Sequence, residues 1–142
     1  MMKPAIMLGL AVLTTTVVAR DGAVAADGGG GCGGQLIEYV PFNVNGQKVG
    51  QLQFYYNAQN GNNCAVMYHG GPSWGALRDT GVLLAKAPSR SGPFRQAAFE
   101  RKDFRYQAGP IRTEGRNVCV YAGGGIDWAG KHHTLYTRIH CG

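Results

Sequence analysis

Short apolar or alternating segments, separated by glycine, asparagine and proline, make up residues 35–142 of the chain. This spacing is typical of a single all-β domain, so we predict a small β-sandwich or partly closed barrel held by disulfides. One or two helical turns are predicted at Pro93–Arg101, because proline is favoured at the first position of a helix. The predicted strands are Leu36–Val40, Val49–Asn57, Cys64–His69, Val82–Ala87, Phe104–Ala108, Val118–Ala122 and His133–Ile139.

The loop after Val49–Asn57 decides which side chains share a face, since a shift of one residue turns every side chain over. A two-residue loop pairs Tyr56 with Ala65. A three-residue loop pairs Tyr56 with Val66 and places Cys64 on the apolar face. We predict the three-residue loop, because Gly and Asn supply the left-handed residue that it favours.

The amino terminus has the order of a secretory signal peptide. Lys3 precedes an uncharged apolar stretch, and Ala23–Ala25 supplies a small-residue cleavage site. Arg20 ends the apolar stretch before it reaches the roughly 20 residues that span a bilayer. The sequence therefore predicts a signal peptide over residues 1–26, a secreted extracellular protein and no membrane anchor.

Residues 27–34, DGGGGCGG, are predicted to form a flexible leader because they are so rich in glycine. Cys32 in this leader raises the alternative of a lipid anchor. Gly29–Gly31 stand before Cys32, where a lipid-modified cysteine requires leucine three places back, so the anchor is disfavoured.

The charge of the chain is modestly basic. Residues 1–26 hold two basic residues and one acidic residue, so their removal lowers the formal charge from +6 to +5. Lys and Arg are scattered between positions 48 and 138. Because clustering is what marks a nucleic-acid or polyanion surface, an ordinary solvated surface is favoured and nucleic acid is not an expected partner.

Four cysteines, Cys32, Cys64, Cys119 and Cys141, predict two disulfides in an exported domain. We predict Cys64–Cys119 across the core and Cys32–Cys141 between the chain ends. The alternative, Cys32–Cys64 with Cys119–Cys141, gives two local bridges and stays open. The sequence places no base beside Cys64 to activate a thiol and no paired zinc-binding spacing, so no metal or cofactor is predicted.

Four segments in order resemble one family: "YYNAQNGNNCAV" (55–66), "YQAGPI" (106–111), "NVCVYAGG" (117–124) and "IHCG" (139–142). They are similar to segments of the spore-associated protein A family of secreted actinobacterial proteins. The resemblance implies a signal peptide, a small β-rich body and a non-catalytic, spore-associated protein of the cell surface. It supplies no molecular activity, and residues 70–100 have no counterpart in its pattern.

Alternation along the last predicted strand indicates a surface stripe. Odd positions from His133 to Cys141 form the more apolar face. His132 and His133 point to opposite faces, so they cannot bind one metal ion together. The outward stripe is a candidate binding surface, because Tyr and Arg are enriched where binding energy concentrates; its members are His132, Thr134, Tyr136, Arg138 and His140.

Trp74 and Trp128, in "PSWGA" and "IDWAG", complete the candidate binding surface. Exposed indole rings would stack against sugars of a cell-wall or spore-surface polymer. The alternative is that both rings cover the core, which we expect to be the case.

A hydrolase is the remaining alternative. Ser73, Ser89 and Ser91 lie in no G-x-S-x-G motif. We therefore predict a secreted, non-enzymatic protein of the cell or spore surface; the alternatives are a glycan or cell-wall binding module and a small secreted ribonuclease-like hydrolase. Side chains of the types that a ribonuclease uses are present without any motif spacing: His69, Glu100, Arg105, His132, Arg138 and His140.

Overall fold

A computed structural model describes residues 31–142, in which nine strands and one short 3₁₀ turn, Gly71–Ser73, are present. The predicted signal peptide and residues 27–30 of the predicted leader lie outside these residues. No helix in residues 31–142 is long and apolar enough to cross a membrane. The strands are β1 (Gln35–Val44), β2 (Gln47–Asn57), β3 (Asn62–His69), β4 (Arg78–Ala87), β5 (Arg95–Phe104), β6 (Gln107–Glu114), β7 (Cys119–Trp128), β8 (Lys131–Tyr136) and β9 (His140–Cys141).

The strands form two antiparallel sheets. The first sheet has the order β1-β2-β3-β6. The second has the order β5-β4-β7-β8, and β9 pairs with the start of β7. The sheets pack as a sandwich rather than as a closed barrel, so the predicted all-β class is confirmed.

The core lies between the two sheets and takes alternate residues from the central strands. Burial of a Val, Leu, Ile, Phe or Met side chain stabilises the fold by about 1.5–3 kcal/mol. The first sheet contributes Leu52, Phe54, Ala65, Met67 and Ala108, and the second contributes Val82, Leu84, Phe104, Val120, Ala122 and Ile126.

The β2–β3 hairpin differs from the predicted register. Its loop has four residues, Ala58–Gly61, and the last of them donates its backbone N–H to the carbonyl of the final β2 residue at 2.7 Å. Tyr56 consequently pairs with Asn63 rather than with Val66. Cys64 therefore points away from the core, and the predicted three-residue loop is wrong.

Two predictions in the middle of the chain are also wrong. Pro93–Arg101 is not a helix, because most of it belongs to β5. Phe104–Ala108 is not one strand, because β5 ends at Phe104 and β6 begins at Gln107 in the other sheet. The strand β5 lies at the edge of its sheet and carries many charges, as edge strands often do, so its sequence shows no clear apolar alternation.

One extra residue separates the registers of β8 and β9. Gly123 pairs with Tyr136, and Cys119 pairs with Cys141. Between these two pairs, β7 covers four residues, whereas the segment from β8 to β9 covers five. Thr137 sits at this bulge, where its hydroxyl accepts a hydrogen bond of 2.9 Å from a β7 amide.

Because of the bulge, residues after Tyr136 lie on the faces opposite to those predicted. Within β8 the prediction holds, since Leu135 packs against the core. In β9 it is wrong: the ring of His140 contacts the core residue Phe54, with centroids 5.4 Å apart, and Cys141 is exposed.

Each disulfide lies on the outer face of its own sheet. The bridges are Cys32–Cys64 and Cys119–Cys141. The predicted pairs Cys64–Cys119 and Cys32–Cys141 are wrong, because Cys64 and Cys119 project from opposite sides of the sandwich with the core between them. The two local bridges each stabilise the fold by about 3–4 kcal/mol in the chain-entropy description.

Candidate functional site

The outer face of the second sheet carries a shallow cleft of about 180 Å³, here called the glycine cleft. Three glycines and one leucine of the central strands β4 and β7 form its floor, and side chains of the edge strands β5 and β8 form its walls. The floor residues are Gly81, Leu83, Gly123 and Gly125, and the wall residues are Phe99, Arg101, His132 and Tyr136.

Strand register places these residues opposite one another. Directly opposed residues of antiparallel strands share a face, so the four strands produce rows that run across the sheet. Two rows cross all four strands, Phe99–Leu83–Gly123–Tyr136 and Arg101–Gly81–Gly125–Thr134; beyond them Asp103 pairs with Asp79 on β4, and Asp127 pairs with His132 on β8.

The glycines let wall side chains lean over the sheet. A Cβ atom at Gly123 would lie 2.9 Å from the ring of Tyr136. A Cβ atom at Gly125 would lie 2.5 Å from Nε2 of His132. Any larger residue at either position would displace a wall, so the glycines determine the shape of the cleft.

Aromatic rings bound one end of the cleft. The exposed fractions of Phe99 and Tyr136 are 50% and 56%. Tyr136 lies edge-on to Tyr121 at 6.0 Å, and Tyr121 lies edge-on to Phe94 at 5.2 Å. These contacts hold the Tyr136 ring in place while leaving one side open to solvent.

Beyond the other end, two aspartates meet two side chains of the cleft wall: Asp79 and Asp127 line an adjoining depression, which shares Arg101 and His132 with the cleft. Arg101 donates from Nε and Nη2 to the two carboxylate oxygens of Asp79, at 2.9 and 2.7 Å. These hydrogen bonds lower the pKa of Asp79 and raise the pKa of Arg101. Beside them, Nδ1 of His132 lies 2.5 Å from Oδ1 of Asp127. Two hydrogen-bonded pairs, Asp79–Arg101 and Asp127–His132, therefore lie side by side.

Three of these residues have the spacing of a metal site. Asp79, Asp127 and His132 each offer an atom within 4.8 Å of the others. However, Arg101 occupies both oxygens of Asp79, and its positive charge opposes a second cation. The arrangement therefore favours hydrogen bonds to a ligand over coordination of a metal.

Trp74 does not cover the core, so that expectation is wrong for Trp74. Trp74 is 52% exposed and packs beside Tyr106, with ring centroids 4.7 Å apart. Trp128 is half-buried at the end of β7, where the guanidinium of Arg78 lies 5.1 Å from its ring centroid. Trp128 borders a depression that shares Arg101 with the glycine cleft.

The predicted outward stripe is divided by the bulge after β8. His132 and Tyr136 line the glycine cleft, whereas His140 and Arg138 contact Glu38 of the first sheet. Nε2 of His140 lies 2.7 Å from a Glu38 oxygen, and the backbone N–H of Arg138 donates to the same oxygen at 3.1 Å. Arg138 and His140 thus join the edges of the two sheets.

The side chains considered for a ribonuclease-like site lie in separate environments. His69 is buried, with its ring nitrogens 2.9 Å from the Ser73 carbonyl and 2.7 Å from the Thr80 hydroxyl. Glu100 accepts a hydrogen bond of 2.6 Å from the backbone N–H of Gly109. The remaining histidines of that set lie in the glycine cleft and at the sheet junction.

Sequence reasoning missed several wall and floor residues. Phe99 and Arg101 fall within the segment predicted to be helical, and no sequence pattern indicates a role for Asp79 or Asp127. One signal was available in Gly123–Gly125, because glycine within a strand often marks a close approach of other groups.

No known protein family, curated protein or solved structure matches the chain. The resemblance to the spore-associated protein A family therefore stays a prediction.

Proposed function

We propose that this is a secreted, non-enzymatic protein of the cell or spore surface, and that it binds a surface polysaccharide in the glycine cleft. The observation that carries the proposal is the pair of half-exposed rings, Phe99 and Tyr136, on opposite sides of a glycine floor. Aromatic rings offer flat apolar area for the C–H face of a sugar, and rigid tyrosines are favoured at binding sites.

The dimensions of the cleft suit a sugar chain. Phe99 and Tyr136 lie in one row, three strand spacings apart, so their backbones are separated by about 14 Å. The Tyr136 ring leans inward over Gly123 and narrows the gap. The Leu83 side chain also lies in this row, between Phe99 and Gly123, so the space that remains is about 180 Å³ and holds only a short part of a longer polymer.

Two properties support an extracellular location. Two disulfides and the lack of a free cysteine among residues 31–142 are usual in proteins of oxidising compartments. The predicted signal peptide leads to the same compartment. The association with spores rests on the family resemblance alone.

The state of Asp79 supports a binding role over hydrolysis. A glycosidase needs one carboxylic acid that keeps its proton near neutral pH, which requires a raised pKa. The hydrogen bonds from Arg101 lower the pKa of Asp79 instead. Asp79 therefore stays ionised and acts as a hydrogen-bond acceptor.

A sedimentation assay with purified cell walls and intact spores tests the proposal on the secreted, oxidised protein. We expect the wild type to bind, and Phe99→Ala and Tyr136→Ala each to weaken binding about tenfold, or about 1.4 kcal/mol. Tyr39→Ala is the matched control, since Tyr39 is 41% exposed on the other sheet. Lack of binding by the wild type, or equal losses in Tyr39→Ala and Tyr136→Ala, would refute the proposal.

A further inference from the structure

We infer that the adjoining depression binds anionic groups, phosphate or carboxylate, of the polysaccharide that lies in the glycine cleft. This inference rests on the proposed function, since one polymer chain would occupy both spaces, and it specifies the charge of that polymer.

The fold brings together three cations that are far apart in the sequence. Arg78 of β4, Arg101 of β5 and Lys131 of β8 all line the adjoining depression, which has a volume of about 770 Å³. The carboxylates of Asp79 and Asp127 line it as well. Positive side chains therefore outnumber negative ones in the depression, and a concave surface with such an excess attracts anions.

Both carboxylates already have hydrogen-bond partners. The two oxygens of Asp79 accept hydrogen bonds from Arg101 at 2.9 and 2.7 Å, so this pair is neutral as a whole. Oδ1 of Asp127 lies 2.5 Å from Nδ1 of His132. A third carboxylate, that of Asp103, pairs in register with Asp79 but does not line the depression.

Arg78 and Lys131 are the cations that remain for a ligand. Neither forms an ion pair with a carboxylate of residues 31–142. The Arg78 guanidinium lies 5.1 Å from the ring centroid of Trp128 and donates one hydrogen bond of 2.9 Å to the carbonyl of Leu77. Because a guanidinium has several N–H donors in one plane, most of them stay available, and this planar fork matches two oxygens of a phosphate or carboxylate.

The adjoining depression continues from the polar end of the glycine cleft. Arg101 and His132 line both spaces. Tyr136 lies on the same strand as His132, four residues further on, so their backbones are separated by about 13 Å. A polysaccharide a few sugar units long spans this distance. A sugar that contacts Tyr136 can therefore belong to the same chain as an anionic group beside Arg78 and Lys131.

Titration calorimetry with the secreted, oxidised protein compares polymers that differ in charge. Polygalacturonate and its fully methyl-esterified form share one backbone, and the ester has no carboxylate. Poly(glycerol phosphate) shows whether phosphate is preferred to carboxylate. We expect at least one anionic polymer to bind about tenfold more tightly than the ester, and its affinity to fall about tenfold between roughly 0.05 and 0.5 M salt, because salt screens charge–charge attraction.

Two substitutions test the cations directly. Arg78→Gln and Lys131→Gln should each weaken binding of the anionic polymer about fivefold to tenfold and reduce its salt dependence, because each removes one positive charge from the depression. Arg95→Gln is the matched control. It removes the same charge from the start of β5, where the exposed Arg95 does not line the depression, and should change affinity less than about twofold.

The outcomes separate this inference from the proposed function. Binding of the ester or of a neutral β-glucan that requires Tyr136 and is unchanged by salt and by Arg78→Gln would overturn the anionic inference and keep the proposed function. Failure of every polymer and of purified cell walls to bind would overturn both. Tighter binding of a single-stranded RNA oligomer than of any surface polymer would also overturn both, since nucleic acid would then be the ligand. Thermal unfolding of each variant establishes that the fold is intact.

Discussion

The imidazole of His132 lies directly over Gly125, with Nε2 2.5 Å from the position that a Cβ atom of residue 125 would take. Nδ1 of the same ring contacts Asp127. Gly125 does not have a positive φ, so alanine there strains no backbone torsion. The closest steric conflict is with His132, and through it with the contact to Asp127; a lesser one is with the backbone oxygen of His133, which would lie 3.1 Å from the added Cβ atom.

We therefore expect Gly125→Ala to weaken ligand binding about tenfold while lowering the free energy of unfolding by about 1–2 kcal/mol, since the His132 side chain is part-buried and must shift. Calorimetry and urea denaturation measure the two effects. Gly70→Ala is the control, because a Cβ atom at Gly70 would have no neighbour closer than 3.8 Å. Unchanged affinity in Gly125→Ala would show that the position of His132 does not matter for binding.

The second prediction concerns the pairing of the four cysteines and the stability that each disulfide contributes. Proteolysis of the unreduced protein should release the linked peptides Cys32–Cys64 and Cys119–Cys141, and thiol titration after denaturation should find no free cysteine. Cys64→Ala should lower the free energy of unfolding by about 2–5 kcal/mol. Cys32→Ala should cost a similar amount, and the double variant little more, because both lose one bridge. A peptide linking Cys64 to Cys119 would contradict the observed pairing.

The Asp79–Arg101 pair predicts a pH dependence of stability. The folded pKa of Asp79 lies below its usual 3.8, so the unfolded chain takes up this proton first as pH falls. The stabilisation is complete well above that value and is lost as pH falls through the folded pKa. In Asp79→Asn the free energy of unfolding should decline less steeply below about pH 4.

Urea denaturation across the acid range measures this slope. Arg101→Met is the companion variant, since it removes the donor and should flatten the same part of the profile. The double variant should add no further flattening. Identical acid slopes in the wild type and both single variants would show that the pair does not stabilise the fold.

The sequence predicts the central strands better than the edges, for a physical reason. β2, β4 and β7 are buried by the facing sheet, so their apolar residues alternate or run together. β5 lies at the edge and pairs with one strand, and its charged residues interrupt the alternation of apolar and polar positions that marks a strand. The loop of the β2–β3 hairpin could not be predicted either, because loops of two, three and four residues all suit a sequence rich in Asn and Gly.

The candidate site was predictable only in part. His132 and Tyr136 follow from the alternation of β8. Their partners Phe99 and Arg101 come from β5, which pairs with β4, and strand order cannot be derived from alternation. The separation of His140 from this surface depends on one extra residue at Thr137, and no local sequence pattern indicates that bulge.

Core and surface aromatics should differ sharply in their contribution to stability. Phe54 is fully buried, so Phe54→Ala should cost about 3–5 kcal/mol of unfolding free energy. Trp74→Ala should cost clearly less, because about half of Trp74 is exposed and its ring packs beside Tyr106 rather than in the core. Urea denaturation compares them. Equal losses would mean that Trp74 does cover the core.

The same variants test the location of the binding surface. Trp74 lies outside the glycine cleft, so Trp74→Ala should keep the affinity for cell walls. If Trp74→Ala abolished binding while Phe99→Ala did not, the binding surface would have to be placed on the turn at Gly71–Ser73 instead.

The last prediction concerns catalysis, because His132 with Asp127 has the form of a general base and its orienting carboxylate. A ribonuclease would also need a second acid–base group within reach of the same phosphate. Glu100 accepts a hydrogen bond from Gly109, and His140 contacts Glu38 at the sheet junction, so neither is directed into the cleft.

Single-stranded RNA incubated with the secreted protein should therefore show no cleavage that His132→Ala, His140→Ala or Glu100→Ala removes. The comparison requires preparations purified identically, since a trace of contaminating ribonuclease would act equally in all four samples. Cleavage that disappears in His132→Ala alone would assign the glycine cleft a catalytic function and overturn the non-enzymatic proposal.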